Sequence, residues 1–171
     1  MCDLRKVKIR MMDITYSSSA DGEGFRDVLF VSGCPHRCNG CHNPQTWDYN
    51  AGTSESLDTV YTALTKSTLT DVTLSGGEPF EQSEALSLLV KKIKDFTSKT
   101  VWVYSGYLFE ELVADAGKKK LLKLCDVLVD GRFQKEDADE DLLFRGSSNQ
   151  RIIDIQKSLK CNKIVLYNLD F

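Results

Sequence analysis

The strongest constraint on this chain's fold is an alternation: short apolar runs separated by stretches that can form helices. "DVLFVSG" (27–33), "DVTLS" (71–75), "TVWVYS" (100–105) and "DVLVD" (126–130) are too short for helices and rich in branched or aromatic residues, so each reads as a buried strand. Between them, "SESLDTVYTALTKS" (54–67) offers Ser54 as an N-cap and spaces Leu57, Val60, Tyr61 and Leu64 along one helical face. "EQSEALSLLVKKIKDF" (81–96) predicts a second helix with a stripe of Ala85, Leu88, Leu89, Lys92, Ile93 and Phe96. "YLFEELVADA" (107–116) and "KKKLLKLC" (118–125) read as helices, and "VKIRMMDITYS" (7–17) and "NKIVLYN" (162–168) as strands at either end. Such an order predicts an α/β fold with a parallel sheet and right-handed crossovers. No repeat or low-complexity linker interrupts it, so a single domain over residues 1–171 is expected.

Ligands of parallel α/β sheets bind beyond the carboxyl ends of the strands. The polar, glycine-containing segments of this chain fall at those ends. "GCPHRCNGCHN" follows the second strand, "GGEP" the third, "SGY" the fourth and "DGRF" the fifth. One composite site on one rim is the simplest arrangement.

The first of these segments holds three of the six cysteines, Cys34, Cys38 and Cys41, spaced C-x3-C-x2-C. Structural zinc takes four protein ligands, and a fourth would have to come from His36, His42, Cys2, Cys125 or Cys161. A dithiol redox centre would use Cys38 and Cys41 and leave Cys34 idle. "CNGCH" fits covalent haem attachment, again with no part for Cys34. A [4Fe–4S] cluster on three thiolates uses all three and leaves one iron open to an outside ligand. The spacing favours that last reading but keeps a non-catalytic zinc-binding interaction module as its alternative.

The bulk composition narrows the setting. With 22 basic and 25 acidic side chains the net charge is −3, so no electrostatic case for nucleic-acid binding arises. The runs "KKIK" (91–94) and "GKKK" (117–120) read as solvated helix faces. No apolar stretch is long enough to span a bilayer, and "MCDLRKVKIRMMD" lacks the apolar core of a signal peptide. A cytoplasmic protein is expected, in which clustered thiols stay reduced and serve metals or catalysis.

"LSGGEPFEQ" (74–82) adds a second chemical cue. Two glycines after a strand admit close approach of a ligand and expose amides to a carboxylate, while Glu78 offers a charge for an ammonium. Together these suit an α-amino acid. A plain strand-to-helix turn, with Glu78 favouring the helix start, is the competing explanation.

C-x3-C-x2-C followed after the next strand by "GGEP" resembles the radical S-adenosylmethionine superfamily. Within it, "DGEGFR" (21–26), "FVSGCPHRCNGCHNPQTW" (30–47), "LSGGEPFEQ" (74–82), "VWVYSGY" (101–107), "DVLVDGRF" (126–133) and "RGSSNQR" (145–151) resemble the activating proteins of anaerobic ribonucleoside-triphosphate reductase. The resemblance runs from about residue 13 to residue 154. It implies a small, incomplete (partial TIM-like) parallel β/α barrel. The length suits five or six units of about 30 residues, and the first strand is free to run antiparallel.

The resemblance also implies roles. Cys34, Cys38 and Cys41 would hold a [4Fe–4S] cluster whose open iron takes the amino and carboxylate groups of S-adenosyl-L-methionine. Gly76, Gly77 and Glu78 would line the methionine end, with Gly40 and His42 against the cofactor. Ser105, Asp130 and Arg132 are further candidates for ribose, carboxylate or a cation. Related activators carry an acidic residue where this chain has Tyr104. The implied activity is reductive cleavage of S-adenosylmethionine to a 5′-deoxyadenosyl radical that makes a glycyl radical on the reductase. A flavodoxin-like electron donor, and a homodimer as one assembly, complete the implied partners.

Other residues carry weaker expectations. Cys125 and Cys161 read as small buried hydrophobes, Cys2 as a terminal bystander and Trp47 as packing over the cysteine loop. Arg26 is a candidate for reaching an anionic group near the cluster. "RGSSNQR" is divided between a partner, the cofactor and a capping task.

Overall fold

The computed structural model describes residues 3–169, so Cys2 lies outside the described residues. The strands are β1 (Lys8–Ser18), β2 (Arg26–Val31), β3 (Thr53–Ser56), β4 (Asp71–Gly76), β5 (Val101–Tyr104), β6 (Val127–Asp130) and β7 (Arg151–Asp154). The helices are α1 (Leu57–Leu64), α2 (Ser83–Phe96), α3 (Phe109–Ala114), α4 (Ala116–Leu122) and α5 (Ile155–Cys161). One seven-stranded sheet runs in the order β3-β1-β2-β4-β5-β6-β7.

The α/β class holds, but the sheet is mixed and open rather than a uniformly parallel barrel. Only β2, β4, β5 and β6 are mutually parallel, and β1, β3 and β7 pair antiparallel. The connections explain this. A parallel crossover needs a dozen or more residues and usually a helix. β1 and β2 are joined by residues 19–25, too few for one, while residues 131–150 carry only a short 3-10 turn at Lys135–Asp137.

Alternation along each strand sorts the side chains onto two faces. On one face Leu29, Val31, Val72, Leu74, Val101, Val103 and Leu128 join the buried residues of all five helices in a single core. On the other, Trp102, Val127, Val129 and Ile152 meet Tyr104, Phe144 and Tyr167, contributed partly by the segment before β7 and the C-terminal stretch. Helices therefore cover one face of the sheet, and irregular chain closes the other.

Several local expectations shift. Ser56 rather than Ser54 caps α1, accepting the Thr59 amide at 3.1 Å, because residues 53–56 pair with β1 as an edge strand. The buried stripe of α2 is Leu86, Leu89, Val90 and Ile93, which leaves Phe96 66% exposed. Residues 162–168 form no strand. They run beside β7 through Asp154 N–H to Val165 O and Tyr167 N–H to Ile152 O, both 2.9 Å, with one isolated bridge at Leu166. Cys125 is buried as expected, but Cys161 ends α5 and is exposed.

Candidate functional site

The carboxyl ends of β2, β4, β5 and β6 lie on one rim, and the cysteine loop springs from the first of them. That loop is fastened at both ends: Gly33 N–H donates to Thr46 O (2.7 Å) and Cys34 N–H to Trp47 O (3.0 Å). The Arg37 guanidinium sits 6.0 Å over the Trp47 ring, so Trp47 packs on the loop as expected. The buried Nε1 of Trp47 has no acceptor among the described residues.

Cys34, Cys38 and Cys41 are all half-buried. Burial pushes the Cys34 and Cys38 thiols up. Backbone amides oppose it, those of His36 and Arg37 at Cys34 and that of Phe133 at Cys38. The Asn43 N–H donates to Cys41 Sγ at 3.4 Å. Among the described residues no three Cys, His, Asp or Glu side chains converge to hold a metal ion. The donor chemistry nevertheless suits an iron–sulfur group: soft thiols on one short loop, with amides aimed at their sulfurs.

The glycine-rich turn after β4 is packed against the exit of β2. Gly77 N–H donates to Val31 O and Glu78 N–H to Gly33 O, each at 2.8 Å, so these two amides serve the fold rather than standing open to a carboxylate. Gly76 has φ +97, and a Cβ there would strike the Val31 backbone. The Glu78 side chain is 0% exposed. Its carboxylate accepts from Phe80 N–H (3.1 Å), Ser105 Oγ–H (2.9 Å), Gly106 N–H (2.8 Å) and His36 Nε2 (2.8 Å). The sequence offers His36 only as a metal ligand. Nothing in its spacing links it to Glu78, which lies 42 positions away.

Ser105 thus faces Glu78 and not an open space. Asp130 is likewise committed: its buried carboxylate accepts from Phe109 N–H (2.8 Å) and from Arg151 Nε (2.9 Å) and Nη2, and Arg151 also pairs with Glu110. Arg132 is exposed, and its charge favours the Cys38 thiolate. Gly40 is exposed, with φ +76, beside the Phe133 ring.

His42 leads to the open part of the rim. Its ring lies 4.9 Å from that of Phe133. Both border a cleft of about 310 Å³, whose walls include Ser75, Tyr104, Phe144 and Gln150. "RGSSNQR" builds one wall: Gln150 Oε1 accepts from Gly146 N–H (2.9 Å) and Ser147 N–H (3.2 Å), and its Nε2 donates to Gly131 O (2.9 Å). Arg26 is elsewhere. It lies at the start of β2, at the opposite end of the strand from the cysteine loop, bonded to Thr73, Val72 O and Thr100.

Residues 20–153, which include the rim loop with three thiols, match the family described as a 4Fe-4S single cluster domain, and that match places the chain in a cluster-binding class. The chain is 40% identical over 140 residues to the anaerobic ribonucleoside-triphosphate reductase-activating protein of Pasteurella multocida, covering 77% of this chain and 89% of that protein. It is 40% identical over 142 residues to the same-named protein of Haemophilus influenzae, with the same coverage. The counterpart from Enterobacteria phage T4 is 39% identical over 138 residues, covering 77% and 85%. The chain belongs to this family of activating proteins. No helix among the described residues is long and apolar enough to cross a membrane.

Proposed function

We propose that this protein is a radical S-adenosylmethionine activase that generates a glycyl radical on an anaerobic ribonucleoside-triphosphate reductase. The observation that carries the reading is the shared rim: the cysteine loop after β2 and the cleft beyond β4 and β5 both contain the stretch around His42. Cys34, Cys38 and Cys41 would hold the [4Fe–4S] cluster as thiolates, losing their protons on binding. Bound there, the cluster supplies the electron that splits S-adenosylmethionine into methionine and a 5′-deoxyadenosyl radical, which takes a hydrogen atom from a glycine Cα of the reductase.

The chain's own residues then position and shield. His42 and Phe133 wall the cleft on the cysteine side. Tyr104, Phe144 and Gln150 enclose the rest of the cleft against water. We take the open sheet, with helices on one face, as the incomplete barrel that the resemblance implies, in one domain over residues 1–171. A flavodoxin-like donor delivers the electron in the cytoplasm, and the working form is a monomer or a homodimer.

The test is anaerobic reconstitution with iron and sulfide, followed by dithionite and S-adenosylmethionine. Methionine and 5′-deoxyadenosine should form, and formation should vanish in Cys38→Ala. A colourless protein that retains one zinc and cleaves nothing would instead establish the zinc-binding module.

A further inference from the structure

A carboxylate offers about four acceptor sites on its two oxygens. At Glu78 four donors occupy them: the Phe80 and Gly106 amides, the Ser105 hydroxyl and His36 Nε2. The side chain is fully buried, so water supplies no exchange partner. Nothing in that arrangement leaves a lone pair for a ligand's ammonium group. What the carboxylate does instead is join three segments: the cysteine loop through His36, its own turn through Phe80, and the β5 exit through Ser105 and Gly106.

His36 sits midway between Cys34 and Cys38, and its side chain is 3% exposed. The ring packs on Gly106 so closely that any Cβ there would collide with it, and Tyr107 meets it edge-on at 4.5 Å. A histidine buried on a loop whose neighbours are half-exposed cysteines is an anchor for that loop.

We propose that His36 and Glu78 form a buried latch that holds the cysteine loop against the exits of β4 and β5, with Glu78 acting through His36 as a positioning residue and not as a cofactor contact. The proposal rests on the cluster-binding reading above for its consequence and on the His36–Glu78 contact for its existence. Residues that orient metal ligands without touching the metal typically change metal affinity about 10–100-fold when altered. The latch therefore governs how firmly the loop retains iron, and the cleft governs S-adenosylmethionine affinity.

The experiment compares wild type with Glu78→Gln, His36→Leu and His36→Gln. Glu78→Gln sets an amide NH₂ among four donors, and His36→Leu removes one donor. His36→Gln keeps a nitrogen donor near the position of Nε2. Iron retention against a chelator is measured after reconstitution, S-adenosylmethionine binding is measured on the loaded fraction, and exchange of the Gly106 amide is measured in the metal-free chain. Glu78→Gln and His36→Leu should each lower iron retention by about tenfold and speed Gly106 exchange, with S-adenosylmethionine affinity unchanged in the loaded fraction. His36→Gln should restore most of the retention.

Full iron retention in Glu78→Gln together with a lost affinity for S-adenosylmethionine would overturn the proposal and make Glu78 a direct contact. Gly106 exchange that is equally fast in all four metal-free proteins would overturn it as well. If the wild type binds no iron, the proposed function falls, while the Gly106 exchange rates still decide whether the latch exists.

Discussion

The Tyr104 hydroxyl donates to the Phe144 carbonyl at 2.8 Å, tying the end of β5 to the segment that walls the cleft. The two residues are 40 positions apart, and the bond fixes irregular chain to the sheet. Tyr104 is also largely buried, and burial pushes its phenol well above the usual tyrosine range. It therefore serves as a neutral donor at physiological pH.

Tyr104→Phe should keep the ring packing and lose only that bond. A net hydrogen bond contributes about 1 kcal/mol, so the variant should unfold at slightly lower urea. Amides in residues 140–146 should exchange faster. If the ligand feels the whole loss, S-adenosylmethionine affinity falls about fivefold. Unchanged exchange in that segment would show that the wall is held by other contacts.

Arg26 is the largest charged side chain buried in the sheet, and burial lowers its pKa despite Asp71 at 3.8 Å. Its guanidinium donates to Thr73 Oγ1, Val72 O, Glu23 O and Thr100, and lies 5.4 Å over the Trp102 ring. Arg26→Met would strand several buried acceptors and should cost about 3 kcal/mol or more in urea unfolding. Arg26→Lys should recover part of that, since an ammonium cannot reproduce the planar fork. Cleavage activity per folded molecule should stay at the wild-type level in both, because this end of the sheet is remote from the cysteine loop.

The phase of α2 gives a sharper contrast. Leu89 is fully buried, whereas Phe96 is 66% exposed. Leu89→Ala should cost about 2–5 kcal/mol, and Phe96→Ser should stay within about 0.5 kcal/mol of wild type. Chemical denaturation of the two variants side by side measures this directly.

That same helix shows what the sequence could and could not yield. Its existence and its C-terminal end are readable from spacing, while its start falls at Ser83 rather than residue 81. A stripe through Leu88 and Phe96 and one through Leu86 and Val90 differ by a small rotation that only packing settles. The four parallel strands were legible because each is a short apolar run closed by a polar turn. β7 was not: "RIID" follows a polar loop, and its antiparallel pairing depends on a connection that has no helix. The cysteine loop announced itself through spacing. The His36–Glu78 contact did not, since a lone histidine carries no periodicity and its partner arrives through a strand and a turn. Ser105 and Asp130 were correctly placed on the rim, yet their partners, Glu78 and Arg151, were beyond any local pattern.

The last prediction concerns the two cysteines outside the loop. Burial pushes the Cys125 thiol far above the usual range, while Cys161 lies exposed at the end of α5. An alkylating reagent should therefore modify Cys161 in the native metal-free protein and reach Cys125 only on unfolding. The raised thiol also sets a pH dependence. Below the unfolded-state pKa of about 8.5, Cys125 is protonated in both states and its contribution is fully present. Above it, the unfolded chain releases the proton and the folded chain keeps it, so the unfolded state binds fewer protons and stability falls as pH rises. Each further pH unit removes about 1.4 kcal/mol until the folded thiol itself ionises. Cys125→Ala should be modestly less stable than wild type at pH 7, and the difference should shrink or reverse by pH 9.5, as read from urea unfolding at the two pH values. A gap between the two proteins that stays constant with pH would mean that Cys125 ionises as readily folded as unfolded, and that its burial is relieved by local opening.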